Sequence, residues 1–485
     1  LAAEAPIPCD ARMRQPSHWA SGPSAAAFAA AALLLAACAA PEGASSGAPA
    51  LEEAPGPRTA GEARRPNVVL FFVDDMGYGD LGVAGHPTIA TPNLDALARD
   101  GVRLTQFVTA CSVCSPSRAA LLTGCYPRVL EMHRHVVFPE DDHGLHPDEV
   151  TLAECLQEAG YATGMFGKWH LGHRRGMLPN DQGFDRWVGI PYSNDMAQAG
   201  RRPNNTYRFH LPFLVDGEVT EWEPDQSTFT RRLTEEAIDF IRAHRDEPFF
   251  AYVPHPMPHI PLFPGEAFQG ESLRGTYGDV IEELDWSVGA VRAALDELDL
   301  AEDTLVLFSS DNGPWLPMKA AGGSAGHLRG GKGTTWEGGH RVPLLAAWPG
   351  TIPAGSVCRE FTTAMDLAPT IARLCGTELV GRGPLDGRDV SDRLLGQSVG
   401  PVARPPFLYY AAKGQLAAIR RGPWKLHLES GELYHLEQDV EERRAVQGKN
   451  EELAAELREL ALRTDAALVA RARSQGSGGD LAFDP

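Results

Sequence analysis

The sequence predicts a large α/β domain built on a mixed sheet, followed by a smaller C-terminal α+β domain, and three observations carry that expectation. Apolar runs such as "NVVLFFVDD" (67–75) are continuous rather than alternating, as in strands covered on both faces. Helix-spaced segments closed by glycine recur between such runs. Beyond about residue 395 the texture changes to short strands separated by glycine turns.

Taken in order, the first body strand is 67–75, ending in two acids. "TPNLDALARDG" spaces Leu94, Leu97 and Ala98 for a helix that Gly101 ends, and "TLAECLQEAG" is a helix stopped by Gly160 before the strand-like "YATGMFGKWH". "TRRLTEEAIDFIRAHRDEP" is a helix before the strand "FFAYVPH", and a helix over roughly 277–298 precedes "TLVLFSSDNG". Polar residues gather just past these strand ends, where open α/β sheets form their sites. In the last part "PFLYYAAKG", "LAAIRRGPWKLHL" and "ELYHLEQD" read as short strands, a helix covers about 450–471, and 474–485 reads as a flexible tail. The expected division is therefore a catalytic domain at 65–395 and a subdomain at 396–473.

The first 64 residues have another composition. Met13, the expected biological start, and Arg14 precede the apolar "AAFAAAALLLAACAAPEG", which has the layout of a signal peptide over 1–38. Its "LLLAAC" resembles a bacterial lipoprotein signal, with Cys38 lipidated; an ordinary cleaved signal with Cys38 incidental is the alternative. Residues 39–64, rich in Ala, Gly, Pro, Ser and Glu, read as a flexible tether. The expected location is exported, periplasmic or lipid-anchored at a bacterial cell envelope.

A net charge of −20, from 64 acidic and 44 basic residues, argues against a nucleic-acid partner while allowing a local cationic pocket. Of eight cysteines, six fall in the body, and their spacing assigns no disulfide partners.

Asp74 and Asp75 end one strand, and Asp311 and Asn312 end a distant one. Three carboxylates and an amide oxygen suit a hard divalent cation, Ca²⁺ or Mg²⁺. Adjacent acids cannot share a strand face, so a loop must begin at that pair for both to ligate. Surface acids or a turn are the plainer alternative. In "CSPSRAALLTG", Ser115 is placed to cap a helix, Pro116 to occupy its first turn and Gly124 to end it. Cys114 then stands at a helix start, where backbone donors favour negative charge. A buried structural thiol, or a redox pair with Cys111, competes with catalysis. "GKWHLGH" offers Lys168 and His170 two residues apart, "HPMPHIP" offers His255 and His259, and "GGKGTT" offers Lys332 without Walker A spacing. Together they could bind and protonate an oxyanion; singly they are ordinary surface or loop residues.

At this point the chain resembles the formylglycine-dependent type I sulfatases, closest in pattern to the arylsulfatase A group. "CSPSRAALLTG" matches their C-x-P-S-R signature and "GYATGMFGKWHLG" their second. "NVVLFFVDDMGYGDLG", "DQGFDRWVGIPYSND", "SSDNG", "GKGTTWEGGHRVP" and "RRGPWKLHL...ELYHLEQD" follow in family order over roughly 65–445. The resemblance implies an alkaline-phosphatase-like architecture and a Cys114 that a formylglycine-generating enzyme oxidises to formylglycine, whose hydrate is the nucleophile. It also implies Asp74, Asp75, Asp311, Asn312 and modified residue 114 as ligands of Ca²⁺, with Mg²⁺ or Mn²⁺ as alternatives. Arg118 would hold the modified side chain, Asp311 would accept its proton, and Lys168, Ser193 and Lys332 would bind sulfate. His259 and Lys332 would serve the departing alcohol, with His255 as the rival for His259, and His170 would take the proton that expels sulfate. Asn194 departs from the family pattern, where histidine often follows the serine.

The implied function is hydrolysis of an organic sulfate monoester, on a small molecule, carbohydrate or lipid. A phosphonate or phosphate ester hydrolase on the same scaffold, and an inactive carbohydrate-binding lipoprotein, are the alternatives.

Overall fold

The computed structural model describes residues 65–196, 209–397 and 404–483. The leader, the tether and Cys38 lie outside the described residues.

Ten strands form one sheet: β1 (Asn67–Val73), β2 (Val102–Leu104), β3 (Ala162–Lys168), β4 (Arg186–Ile190), β5 (Pro212–Val215), β6 (Glu218–Trp222), β7 (Phe249–Val253), β8 (Thr304–Ser310), β9 (Leu344–Ala347) and β10 (Ser356–Cys358). Their spatial order is β10-β2-β9-β8-β1-β7-β3-β4-β5-β6. The middle five, β8 to β4, are parallel, and antiparallel pairs flank them on both sides. The continuous apolar run of β1 has its predicted cause. Val68, Leu70 and Phe72 enter one buried cluster, while Val69, Phe71 and Val73 enter another on the opposite face. Each fully buried phenylalanine contributes about 1.5–3 kcal/mol relative to exposure.

The predicted helices form at Pro92–Asp100, Cys114–Thr123, Leu152–Glu158, Phe229–Ala243 and Thr276–Glu297. Gly101 ends the first of these without the left-handed cap expected of it, at φ −143°. Glycine is needed there because a Cβ would stand 2.0 Å from the Ala346 carbonyl oxygen of β9. Gly124, at φ +67°, is a left-handed cap donating to Ala120 O.

In the C-terminal region β11 (Phe407–Tyr410), β12 (Leu416–Arg421), β13 (Trp424–His427) and β14 (Leu433–His435) make an antiparallel sheet. It shares a core with Leu457, Ala461 and Leu468 of the Glu451–Ala470 helix and with Ala120 of the Cys114–Thr123 helix. Residues 476–477, in the stretch expected as a flexible tail, pair antiparallel with His143–Gly144, and Leu481 bridges to Arg174. Backbone hydrogen bonding thus holds part of that stretch against the body. Among the described residues no helix is long and apolar enough to cross a membrane.

Candidate active site

The site lies beyond the carboxyl ends of the parallel strands. Strand β1 stops at Val73, and Asp75 takes φ +67°, leaving the extended conformation. That break supplies what adjacency in a strand forbids, so both carboxylates turn into one site. The neighbouring strand brings Asp311 alongside: its backbone N–H donates to Val73 O at 3.0 Å, and Asp75 N–H donates to Asp311 Oδ1 at 3.2 Å. Donor atoms of Asp74, Asp75, Asp311 and Cys114 all lie within 4.8 Å of one another, and all four residues are buried. Asn312 Nδ2 donates to Asp75 Oδ1 at 2.7 Å, while its Oδ1 is buried without a hydrogen-bond partner. Three carboxylates and an orphaned amide oxygen fit a hard divalent cation.

Cations surround these acids. Arg118 pairs with Asp311 Oδ2 through Nε at 2.9 Å and Nη2 at 2.8 Å, and its Nη1 donates to Lys168 O at 3.1 Å. Lys168 Nζ bridges Asp74 Oδ2 and Ser193 Oγ, at 2.5 and 3.1 Å. Lys332 arrives from the glycine-rich turn and pairs with Asp75 Oδ2 at 2.7 Å. Burial pushes Asp74 up, but Lys168, His259, Arg118 and Lys332 together hold it well below the usual carboxylate range. Burial and the charge of Asp74 push Asp311 up, against Arg118. Within a chain of strongly acidic balance, three buried acids are matched here by three cations.

Cys114 is the first residue of its helix, with Sγ 3.2 Å from Asp74 Oδ1 and 3.6 Å from Lys332 Nζ. Ser115 is not the expected cap: Val113 holds that position, and Ser115 Oγ accepts from Val137 N–H at 3.0 Å. Nor does the helix start make a thiolate. Burial and the nearby Asp74 raise the thiol pKa well above normal, overriding Lys168 and Lys332. An unmodified Cys114 is therefore a poor nucleophile. Cys111 and Cys114 are both free thiols.

The histidines separate. His259 Nε2 is 3.6 Å from Asp75 Oδ2, and its Nδ1 is 2.6 Å from Ile260 O. A carbonyl only accepts, so Nδ1 carries the proton there and Nε2 faces the site. His255 instead bonds Ser287 Oγ at 2.9 Å, stacks on Phe71 and is held neutral by burial, with a pKa near 3. It is a core residue. His170 lies two positions past the end of β3 at φ +63°, so it does not share a strand face with Lys168 as the spacing suggested. It nevertheless joins the site's electrostatic neighbourhood, where burial and Lys168 push its pKa well down. Its Nε2 meets Val137 O at 3.0 Å, and its Nδ1 is buried without a partner. Asn194 donates to Gln226 Oε1 and Pro261 O, at 3.1 and 3.3 Å. Sequence reasoning missed Trp315, whose ring lies 4.6 Å from Lys332 Nζ and 5.6 Å from the His259 ring. Only the Trp-Leu step straight after "DNGP" hinted at an apolar wall beside the site.

The Sulfatase family description matches residues 66–377. Arylsulfatase A of Homo sapiens is 42% identical over 388 residues, covering 75% of this chain and 75% of that protein. Among solved structures, the PsFucS1 sulfatase from Pseudoalteromonas sp. has a TM-score of 0.75 at 28% identity, over 86% of this chain and 92% of its own. Ps i-CgsB in complex with k-i-k-neocarrahexaose has a TM-score of 0.74 at 29% identity, over 84% and 94%.

Proposed function

The chain belongs to the sulfatase family and is a sulfuric-ester hydrolase with a metal-binding, formylglycine-type site, and on that premise we propose how its residues divide the work. The observation that carries the reading is Cys114 Sγ at 3.2 Å from Asp74 and 3.6 Å from Lys332, inside the oxygen-rich cluster. Residue 114, converted to formylglycine by a separate generating enzyme, supplies the nucleophilic hydroxyl when hydrated. Asp74, Asp75, Asp311, Asn312 and residue 114 hold the metal, for which the oxygen donor set favours Ca²⁺. When bound, that ion supplies Lewis acidity toward a sulfate oxygen.

Arg118 fixes Asp311, which takes the proton of the attacking hydroxyl. Lys168 and Ser193, joined at 3.1 Å, donate to sulfate oxygens, and Lys332 adds a third donor from the glycine-rich turn. His259 presents Nε2 to the leaving oxygen; because Nδ1–H is committed to Ile260 O, it delivers a proton from Nε2 only as the imidazolium, a form that burial and Lys332 disfavour and Asp75 and Asp74 favour. His170 donates from Nε2 to Val137 O, which leaves the Nδ1 lone pair to accept the proton lost from residue 114 as sulfate departs. Burial keeps that ring neutral, as a base requires.

A sulfated carbohydrate is the substrate class we favour, supported by the neocarrahexaose-bound neighbour. The leader-like segment and Cys38 support an exported, lipid-anchored enzyme. Peptide mass spectrometry around residue 114, from cells able to form formylglycine, should find the modification, and sulfate release should exceed phosphate release. Unmodified Cys114 with no sulfate release would count against the catalytic roles. Phosphate release in large excess would move the substrate to the phosphate or phosphonate class.

A further inference from the structure

Among the described residues, one cluster apart from the catalytic ligands combines the donor types of a transition-metal site. His135, Asp141 and His143 place one ring nitrogen each and a carboxylate oxygen within 4.8 Å of one another. Asp141 Oδ2 is 3.9 Å from His135 Nδ1 and 3.8 Å from His143 Nε2. Ligands around a tetrahedral Zn²⁺ stand roughly 3.3–3.5 Å apart, given Zn–N bonds of about 2.0–2.1 Å. The two carboxylate–imidazole distances thus need to close by only about half an ångström. The side chains are 49%, 20% and 16% exposed in chain order, so an ion can reach them from solvent. His135 and His143 also line a cavity of about 180 Å³.

The surrounding hydrogen bonds already hold the donors in place. The Asp141 carboxylate accepts from Phe138 N–H at 2.8 Å, and the Asp141 carbonyl accepts from Arg174 Nε and Nη2 at 3.2 and 3.0 Å. His143 pairs in register with Ser477. His135 Nδ1 lies 2.7 Å from Val136 O; ligation through Nε2 keeps that bond, and ligation through Nδ1 exchanges it for the ion.

We propose that His135, Asp141 and His143 form a second metal site, separate from the catalytic one, for a borderline divalent cation of the Zn²⁺, Co²⁺ or Ni²⁺ class. Two imidazoles and one carboxylate discriminate against Ca²⁺, which takes six to eight oxygens. Three protein ligands leave a fourth position for water. The site lies next to Val137, whose N–H donates to Ser115 Oγ and whose carbonyl accepts from His170 Nε2. An ion there ties down the stretch that supports His170 and the residue after Cys114. Its role is structural, holding that stretch in register.

The test is titration of the Ca²⁺-saturated full chain with Co²⁺, followed by its visible d–d absorption, with Zn²⁺ as competitor. The wild type should bind one tight Co²⁺ equivalent that Zn²⁺ displaces. Affinity should fall at least about tenfold in His135→Ala, and the tight equivalent should vanish in His143→Ala. The His135 ring is half exposed, so its removal should leave the far-ultraviolet circular dichroism and Ca²⁺-supported sulfate release unchanged. That binding readout needs no formylglycine, so it stands or falls separately from the catalytic roles. Absence of tight Co²⁺ binding in the wild type would overturn the site. So would unchanged stoichiometry and spectrum in both variants, which would place the ion elsewhere, for instance on the free cysteines.

Discussion

Alanine at His259 and alanine at His255 should separate a residue that meets the reaction from one that holds the core. His255 is fully buried, bonded to Ser287 Oγ at 2.9 Å and stacked on Phe71. Its removal loses a hydrogen bond of about 1 kcal/mol and leaves a cavity, for a total stability cost of about 2–4 kcal/mol. Sulfate release per folded molecule should not change. His259 sits 3.6 Å from Asp75, beside Lys332, and its removal should cost the factor of about 10²–10⁴ expected of general acid catalysis. At 1.36 kcal/mol per tenfold, that is about 3–5 kcal/mol of transition-state stabilisation. The loss should be larger for a sugar sulfate, whose alkoxide leaves poorly, than for 4-nitrophenyl sulfate, whose phenolate leaves without much help. The assay is steady-state sulfate release on both substrates, normalised to the formylglycine-bearing fraction, alongside denaturant melts of each variant. A stable His255→Ala protein that loses about 100-fold in kcat/KM would refute the assignment. An equal loss on both substrates in His259→Ala would reduce that residue to a binding role.

Lys425→Met should lower stability by about 3–5 kcal/mol, because it strands two buried carboxylates. Lys425 Nζ is 3.0 Å from Oε1 of both Glu337 and Glu442, all three side chains being fully buried. A denaturant midpoint close to wild type would show that Arg420, Arg341 and His427 already neutralise the pair. Burial pushes Glu283 up from 4.5 to about 7, against the Gly265 N–H that it accepts. The native state therefore binds the extra proton between those values, and this group's contribution declines as pH rises through that window. Glu283→Gln should remove that decline, so its stability relative to wild type should rise from pH 5 to pH 8; a constant difference across the range would contradict the shift. Chelation should abolish sulfate release, and Ca²⁺ should restore it better than Mg²⁺; equal recovery with Mg²⁺ would remove the preference for Ca²⁺.

Periodicity and local chemistry made much of the fold legible. The unbroken apolar run of β1 implied burial on both faces, and its side chains do divide between two clusters. Glycine correctly marked the helix ends at 101 and 124, but for different reasons. The left-handed φ of Gly124 is a local property, whereas Gly101 answers to a β9 carbonyl brought close only by folding. Ser115 misled because a serine at a helix start caps in isolation, while here its hydroxyl serves Val137. The C-terminal stretch read as a tail because its glycines and polar residues carry no periodic pattern, and its pairing with 143–144 is a long-range event.

By itself the sequence determined which residue types were available: acids after two strands, a cysteine before "SPSR", one lysine at a strand end and another in a glycine-rich turn, and three histidines just past strand ends. Their order along the chain was enough to indicate the family. Tertiary structure alone decided which of them act together. Asp75 and Asp311 are 236 positions apart, and they meet because β1 and β8 pair in register and Asp75 turns at positive φ. The same packing sent His255 into the core and His259 into the site, although both come from one short loop. It also set the charge state of Cys114, since ionisation depends on desolvation and on carboxylates distant in sequence rather than on the helix that begins there.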